Sequence, residues 1–192
     1  SVYAWGCNSD GRLGDSTTTH RYTPVQVHGV DDVGYLTGIT QISANGHTLA
    51  LAGNGAVYAW GPNSNGKLGD NTSSTRYTPV QVHGVGNVGY LSDIIQISTS
   101  PYNSMALGED GTVFTWGANY NGQLGNGETS WDDQSTPVKV LTGAQEDPEG
   151  YLTGITQISS GFGHCLALAS DGTVYAWGNN GNGQLGDNTT EE

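Results

Sequence analysis

Four short loops contain the residues best suited to bind a metal ion, and they share the pattern N-x-[DN]-G-x-L-G-[DN]. The loops span residues 8–15, 63–70, 119–126 and 180–187. Their closely spaced side-chain oxygens are similar to the start of a calcium loop, but the closing bidentate glutamate of such loops is absent. Asn, Asp and Gly are also the residues that favour tight turns. We therefore expect turns here, with no metal ion and no cofactor.

Two histidines could act as general bases or metal ligands, because imidazole serves both roles near neutral pH. His47 and His164 occupy the same position in two similar segments, where a third copy of the segment has Asn103. No further ionisable residue recurs beside them, so we interpret both as structural hydrogen-bonding residues. Nucleophile-elbow, phosphate-loop, paired-cysteine and zinc-protease motifs are missing from the sequence. We predict that the chain is not an enzyme.

Trp131 is the one tryptophan that stands outside a regular spacing. It lies in an insertion that lengthens a Trp-to-Pro distance from 19 to 21 residues, and Glu128, Asp132 and Asp133 lie beside it. Tryptophan is enriched at the centres of protein–protein interfaces. We predict that these four residues contact a partner; the alternative is that the indole ring folds back over a sheet edge. A second insertion, residues 145–149, follows in the same repeat.

The charge of the chain restricts its partners. Eighteen acidic and five basic residues give a formal net charge of -13, and residues 111–192 hold ten of the acids with one base. Nucleic-acid binding normally needs a basic surface, so we expect none. The acidic surface favours solubility or a cationic partner. Apolar runs are far shorter than the roughly 20 residues that cross a membrane, so no membrane insertion is expected.

A tandem repeat organises the whole sequence. Tryptophans recur at spacings of 55, 56 and 61 residues, and a leucine follows each one at a constant offset of eight. We interpret these residues as packing residues: Trp5, Trp60, Trp116 and Trp177, with Leu13, Leu68, Leu124 and Leu185. The segments TPVQV, GYLTGITQIS and HTLAL, or close variants, follow in the same order. The predicted repeats are 1–54, 55–110, 111–171 and a partial 172–192.

Each full period contains four short segments of strand character and no helical periodicity. Asn54-Gly55, Asp110-Gly111 and Asp171-Gly172 connect consecutive segments and predict two-residue type I′ hairpin turns. Four strands in a period of this length are typical of a β-propeller blade. We predict an all-β fold of four-stranded antiparallel blades, a single propeller segment over 1–192 with about three and a quarter blades present. Cys7 and Cys165 lie near opposite ends of the chain and are expected to be separate thiols.

The pattern G-[TA]-V-[YF]-x-W-G-x-N-x-[DN]-G-x-L-G-[DN], with its TPV, ITQIS and GHxLAL segments, resembles the regulator of chromosome condensation repeat family. The resemblance covers essentially the whole chain. It implies a propeller, usually of seven blades, with the ITQIS strand innermost. Members of the family include a chromatin-bound guanine nucleotide exchange factor, an inhibitor of β-lactamases and accessory domains of ubiquitin ligases. The resemblance therefore implies the fold but no single function.

A ring of seven blades cannot close with so few strands, and open strand edges favour association. We expect either a part of a protein roughly twice as long or copies that join end to end. The first function hypothesis is a non-enzymatic interaction or structural module that binds a protein partner through rim loops. One alternative is a self-assembling extracellular fibre or surface subunit whose blades pair between copies as a homo-oligomer. The other is nucleotide exchange on a small GTPase. The chain has few lysines and abundant Asn, Thr and Gly, a composition more typical of a bacterial extracellular or cell-surface protein than of a nuclear one.

Overall fold

The computed structural model describes residues 1–143 and 150–191, so the insertion at 145–149 lies outside the described residues. Within them the chain forms thirteen strands and only two helical segments, single 3-10 turns at Val30–Asp32 and Val85–Asn87. The strands are β1 Tyr3–Gly6, β2 Arg21–Gln26, β3 Ile39–Asn45, β4 His47–Ala52, β5 Val57–Gly61, β6 Arg76–Gln81, β7 Ile94–Thr99, β8 Asn103–Gly108, β9 Val113–Asn119, β10 Ser130–Lys139, β11 Ile155–Ser160, β12 His164–Ala169 and β13 Val174–Gly178. Neither helical turn is long or apolar enough to cross a membrane.

The strands form four antiparallel sheets in chain order. Sheet 1 has the order β1-β2, sheet 2 β3-β4-β5-β6, sheet 3 β7-β8-β9-β10 and sheet 4 β11-β12-β13. Within each sheet, every strand pairs with the strand that follows it along the chain, as in a β-meander. The prediction of an all-β partial propeller is confirmed.

The sheets pack face to face, and the apolar core is divided among their junctions. Separate clusters of buried side chains lie between sheets 1 and 2, between sheets 2 and 3, and between sheets 3 and 4. Trp60 and Trp116 are the largest fully buried side chains in the described residues. Strands β8 and β9 have neighbouring sheets on both faces, and nearly all of their residues are buried.

The innermost strands are connected by glutamine side chains. Gln41 on β3 donates to the carbonyl of Ile97 on β7 (3.2 Å) and accepts from its amide (3.1 Å). Gln96 on β7 makes the same pair of bonds with Ile158 on β11, both at 3.0 Å. The glutamines of β3 and β7 thus each bind the backbone of the next sheet.

The hairpin prediction is wrong in turn type. Gly55, Gly111 and Gly172 have φ values of +81°, +79° and +92°, whereas the residue before each glycine has a negative φ. The Gly55 amide donates to Ala52 O (3.0 Å), and Ala52 N donates to Ala56 O (2.9 Å). This is a three-residue loop in which a type I turn is followed by a left-handed glycine. Type I′ would need positive φ at both central residues, and the extra loop residue removes that requirement.

The oxygen-rich loops are turns held from the inside by their first asparagine. Asn8 Nδ2 donates to Asp15 Oδ1 (2.9 Å), and Asn8 Oδ1 accepts from the Leu13 amide (3.0 Å). The same two bonds recur in the loops that begin at Asn63, Asn119 and Asn180. The side-chain amide of each first asparagine therefore forms hydrogen bonds within its own loop. Across residues 1–143 and 150–191, no group of three or more His, Cys, Asp or Glu is positioned to hold a metal ion.

Candidate protein-interaction surface

Four aromatic rings form a continuous row on the protein surface, which we name the rim cluster: Trp131, Tyr120, Tyr102 and Phe162. Trp131 stacks on Tyr120 with centroids 5.6 Å apart and an angle of 24° between the ring planes. Edge-to-face contacts continue the row, from Tyr120 to Tyr102 at 5.9 Å and from Tyr102 to Phe162 at 5.3 Å. Trp131 is 87% exposed and Phe162 is 67% exposed. The indole ring therefore stacks on Tyr120 instead of covering a sheet edge.

Sheets 3 and 4 position the rim cluster. Tyr102 lies in the turn between β7 and β8, Phe162 in the turn between β11 and β12, and Tyr120 directly after β9. Trp131 lies near the start of β10, which has ten residues where β2 and β6 have six. The insertion lengthens this strand, because Ser130 pairs with Asn119 beyond the point where β6 begins in sheet 2. The cluster thus stands on regular strands and short turns.

Acidic side chains lie beside the rings. Glu128, Asp132 and Asp133 are all exposed. Asp133 accepts hydrogen bonds from Asn65 Nδ2, in the loop between β5 and β6, at 3.2 and 3.4 Å to its two oxygens. Partial burial raises the pKa of Tyr120, and the neighbouring Tyr102 and Asp133 raise it further. The surface therefore combines exposed aromatic faces with negative charge.

Three members of the rim cluster were missed by the sequence prediction, which singled out only Trp131 and its acidic neighbours. Tyr120 stands where the other repeats have Ser9, Ser64 and Gly181. Tyr102 precedes Asn103 at the position that is glycine in both of the other complete copies. Aromatic residues at repeat positions that are otherwise small would have identified both.

The repeat residues differ in burial from one end of the chain to the other. Leu13, Leu68 and Leu124 are buried, and Leu185 is half-buried. Among the tryptophans, Trp60 and Trp116 are buried and Trp177 is half-buried, but Trp5 is 63% exposed. His47 is buried against Ser104, whereas His164 is half-buried. Trp5 therefore departs from the packing role that its repeat position predicts.

The two cysteines are separate thiols in the structure. Cys7 is exposed and Cys165 is buried, and neither forms a disulfide with another described residue. Burial raises the pKa of the Cys165 thiol to about 12. This side chain is therefore a neutral packing residue at neutral pH.

Comparison with known proteins extends over nearly the whole chain. The model of the regulator of chromosome condensation (RCC1) repeat matches residues 1–51, 54–107 and 110–168, and a second RCC1-repeat model matches residues 39–67, 94–123 and 155–184. The human E3 ubiquitin-protein ligase HERC2 is 31% identical over 98% of this chain, which covers 4% of that protein. The rat probable E3 ubiquitin-protein ligase HERC4 is 36% identical over 98% of this chain and 17% of its own length.

Solved structures show the same fold. Human WBSCR16 has a TM-score of 0.76 at 23% identity, over 100% of this chain and 46% of that chain. Prp20p from Saccharomyces cerevisiae has a TM-score of 0.73 at 27% identity, over 97% and 43%. The chain therefore spans less than half the length of these relatives. A bacterial origin stays a prediction. The chain belongs to the regulator of chromosome condensation repeat family, because its motifs repeat, its antiparallel sheets stack and the family model matches all three periods.

Proposed function

We propose that this chain is a non-catalytic interaction module that binds a protein partner through the rim cluster. The observation that carries the proposal is the 87% exposure of Trp131, whose ring is nonetheless held by stacking on Tyr120. A large aromatic ring with few accessible conformations loses little entropy on binding, which is why such residues dominate interfaces. Prp20p, whose structure report describes binding to Gsp1p and histones, supports protein binding by a related fold.

The chemistry of the surface favours a partner segment rich in lysine or arginine. Glu128, Asp132 and Asp133 are exposed next to the rings, and the whole chain has 18 acidic and five basic residues. Guanidinium and ammonium groups bind over aromatic faces, and flanking carboxylates supply the complementary charge. A basic segment lying along the row of rings would use both interactions together.

Titration with short synthetic peptides tests this proposal. A lysine- and arginine-rich peptide with aromatic residues should bind, and a peptide of the same length with glutamate for each base should not. Trp131→Ala should weaken binding by more than about fivefold, the equivalent of about 1 kcal/mol, with an unchanged melting temperature. Tyr22→Ala is the matched control, because Tyr22 is 94% exposed on β2 and contacts no ring of the rim cluster. Equal binding by the wild type and Trp131→Ala would contradict the proposal.

Self-assembly is a second candidate function, and the open strand edges favour it. Within the described residues β1 pairs only with β2, and β13 pairs only with β12. Sheets 2 and 3 each have a fourth strand, whereas sheet 4 has three. In sheet 4, residues of β13 line a cavity of about 830 Å³ together with Val140, Leu152 and Leu185. Light scattering across a concentration series would test association directly. The nucleotide-exchange alternative stays a prediction, since no contact in the described part of the chain favours it.

A further inference from the structure

One interaction joins neighbouring sheets at all three junctions in the described residues. The indole nitrogen of each repeat tryptophan donates to a backbone carbonyl in the preceding oxygen-rich loop. The three bonds are Trp60 Nε1 to Arg12 O at 2.9 Å, Trp116 Nε1 to Lys67 O at 2.8 Å and Trp177 Nε1 to Gln123 O at 3.0 Å. The acceptor is always the residue before the loop leucine, so the contact is a property of the repeat.

A glycine in the same loop makes room for each indole ring. A β-carbon at Gly14, Gly69 or Gly125 would lie 2.9, 2.9 or 2.8 Å from the indole nitrogen of the next sheet's tryptophan. A β-carbon, which forms no hydrogen bond, does not pack that close to another side chain. The glycine and the carbonyl two residues before it therefore form a receptor for a tryptophan.

The last loop has the same internal hydrogen bonds as the other three, and no tryptophan of the described residues lies against its glycine. A β-carbon at Gly186 would meet no atom within 4 Å. The loop already has its turn conformation, because Asn180 donates to Asp187 (3.2 Å) and accepts from the Leu185 amide (3.0 Å). The carbonyl of Gln184 occupies the acceptor position of the other three loops.

Sheet 1 presents the complementary half. Trp5 is 63% exposed, and no hydrogen bond to its indole nitrogen is formed by the described residues. The register of β1 on β2 equals that of β5 on β6: Ala4 pairs with Val25 as Ala59 pairs with Val80, and the glycine after each tryptophan pairs with an arginine. The strand that carries Trp5 therefore has the same register on its outer neighbour as the strand that carries Trp60, although Trp60 also pairs with Thr48 on β4.

We propose that the loop at Gln184–Gly186 of one copy of this chain receives Trp5 of a second copy. This proposal rests on the self-assembly candidate above and names its contact. The occupant is a second copy because this chain carries both halves of the junction, and three internal examples show that the halves fit. The contact joins different surfaces of the two copies, so copies add head to tail and form a closed ring if the rotation between copies closes, or an open chain if it does not.

Two variants test the contact from opposite sides. Trp5→Ala removes the tryptophan and leaves the receptor intact. Gly186→Asn fills the receptor and leaves Trp5 intact; asparagine tolerates a left-handed backbone such as the φ of +72° at this position. In sedimentation equilibrium, we expect the mean mass of the wild type to rise with concentration and each variant alone to stay monomeric. An equimolar mixture of the two variants should form a one-to-one dimer and nothing larger, since only one intact pair remains.

Controls separate this contact from folding and from the rim cluster. Both variants should retain the wild-type circular dichroism spectrum, and Trp131→Ala should associate as the wild type does. Trp5→Phe keeps an aromatic ring and removes only the indole N–H, so its association should be intermediate. Association that is unchanged in both Trp5→Ala and Gly186→Asn would overturn the proposed contact while leaving self-assembly in place. A wild type that is monomeric at every concentration would overturn the contact and the self-assembly candidate together.

Discussion

At the scale of single residues, His47 shows how the junctions constrain side-chain chemistry. Ser104 Oγ donates its one hydrogen to Lys67 O (2.8 Å), so it accepts from His47 Nε2 at 2.6 Å. The proton of the imidazole is therefore on Nε2, and Nδ1 is buried without a hydrogen-bond partner. Burial, and to a smaller extent the charge of Lys67, lower the pKa of His47 to about 3.

This burial makes stability depend on pH through His47. The unfolded chain binds a proton at a pKa of 6.5, whereas the folded chain does so only near 3, so stability is lost as the pH falls through that window. Between about pH 7 and about pH 5 the loss is about 2 kcal/mol. His47→Asn, which places here the residue found at the equivalent Asn103, should remove this contribution. Urea unfolding at both pH values measures it.

Parallel pH dependences in the wild type and the variant would contradict the burial of a neutral imidazole. A constant offset between the two proteins is a packing effect of the substitution and does not enter the comparison. The carboxylates that also titrate in this range are common to both chains, so they cancel in the difference.

Sequence reasoning predicted Trp131 as a surface residue of interest because it breaks the repeat, but it left the other three rings unassigned. Tyr102 and Phe162 are 60 residues apart and meet only because sheets 3 and 4 pack side by side. Repeat alignment gives the position of a residue within a sheet. It does not give the residue across the junction, which depends on how the sheets are rotated against each other.

At the scale of strands and turns, the repeat predicts which segments pair and leaves the turn geometry open. A dipeptide such as Asn54-Gly55 is common to two-residue and three-residue hairpin loops. The position at which strand pairing stops decides between them, and here Ala52 pairs with Ala56. The side chain of Asn54 supports this geometry by accepting from the Ala56 amide at 3.2 Å. The strand order within each sheet was predictable, because consecutive strand-like segments of a repeat pair in an antiparallel meander.

The innermost strands provide a matched pair of substitutions. Gln96→Ala should remove both hydrogen bonds to Ile158 and leave a partly buried backbone amide and carbonyl unpaired. We expect a loss of about 1–3 kcal/mol in the free energy of unfolding. Gln157, at the equivalent position of β11, is exposed, and Gln157→Ala should change stability by less than about 0.5 kcal/mol. Denaturant unfolding of both variants at low protein concentration measures the difference, and equal losses would show that the amide bridges add nothing beyond side-chain packing.

At the scale of the whole molecule, stability is distributed over sheets and junctions, and no single core holds the chain together. Three separate apolar clusters lie at three junctions. In such an array, the stability of each sheet depends on its own strands and on its neighbours. Sheet 3 has four strands and a neighbour on each face, whereas sheet 1 has two strands and one neighbour. An isolated two-stranded sheet is only marginally stable in water.

Amide hydrogen exchange should therefore differ across the molecule. At low protein concentration, we expect the amides of β1 and β2 to exchange through local opening of sheet 1, well before those of β8 and β9. The buried strands β8 and β9 should exchange only when the whole chain unfolds. Mass spectrometry of peptic fragments resolves the two regions, and equal protection in both would show that the four sheets unfold as one unit.

If Trp5 docks into the loop at Gly186 of another copy, raising the concentration should slow exchange in residues 3–6 and 180–187 together. Trp5→Ala should abolish that change in both segments, because each segment is one half of the same contact.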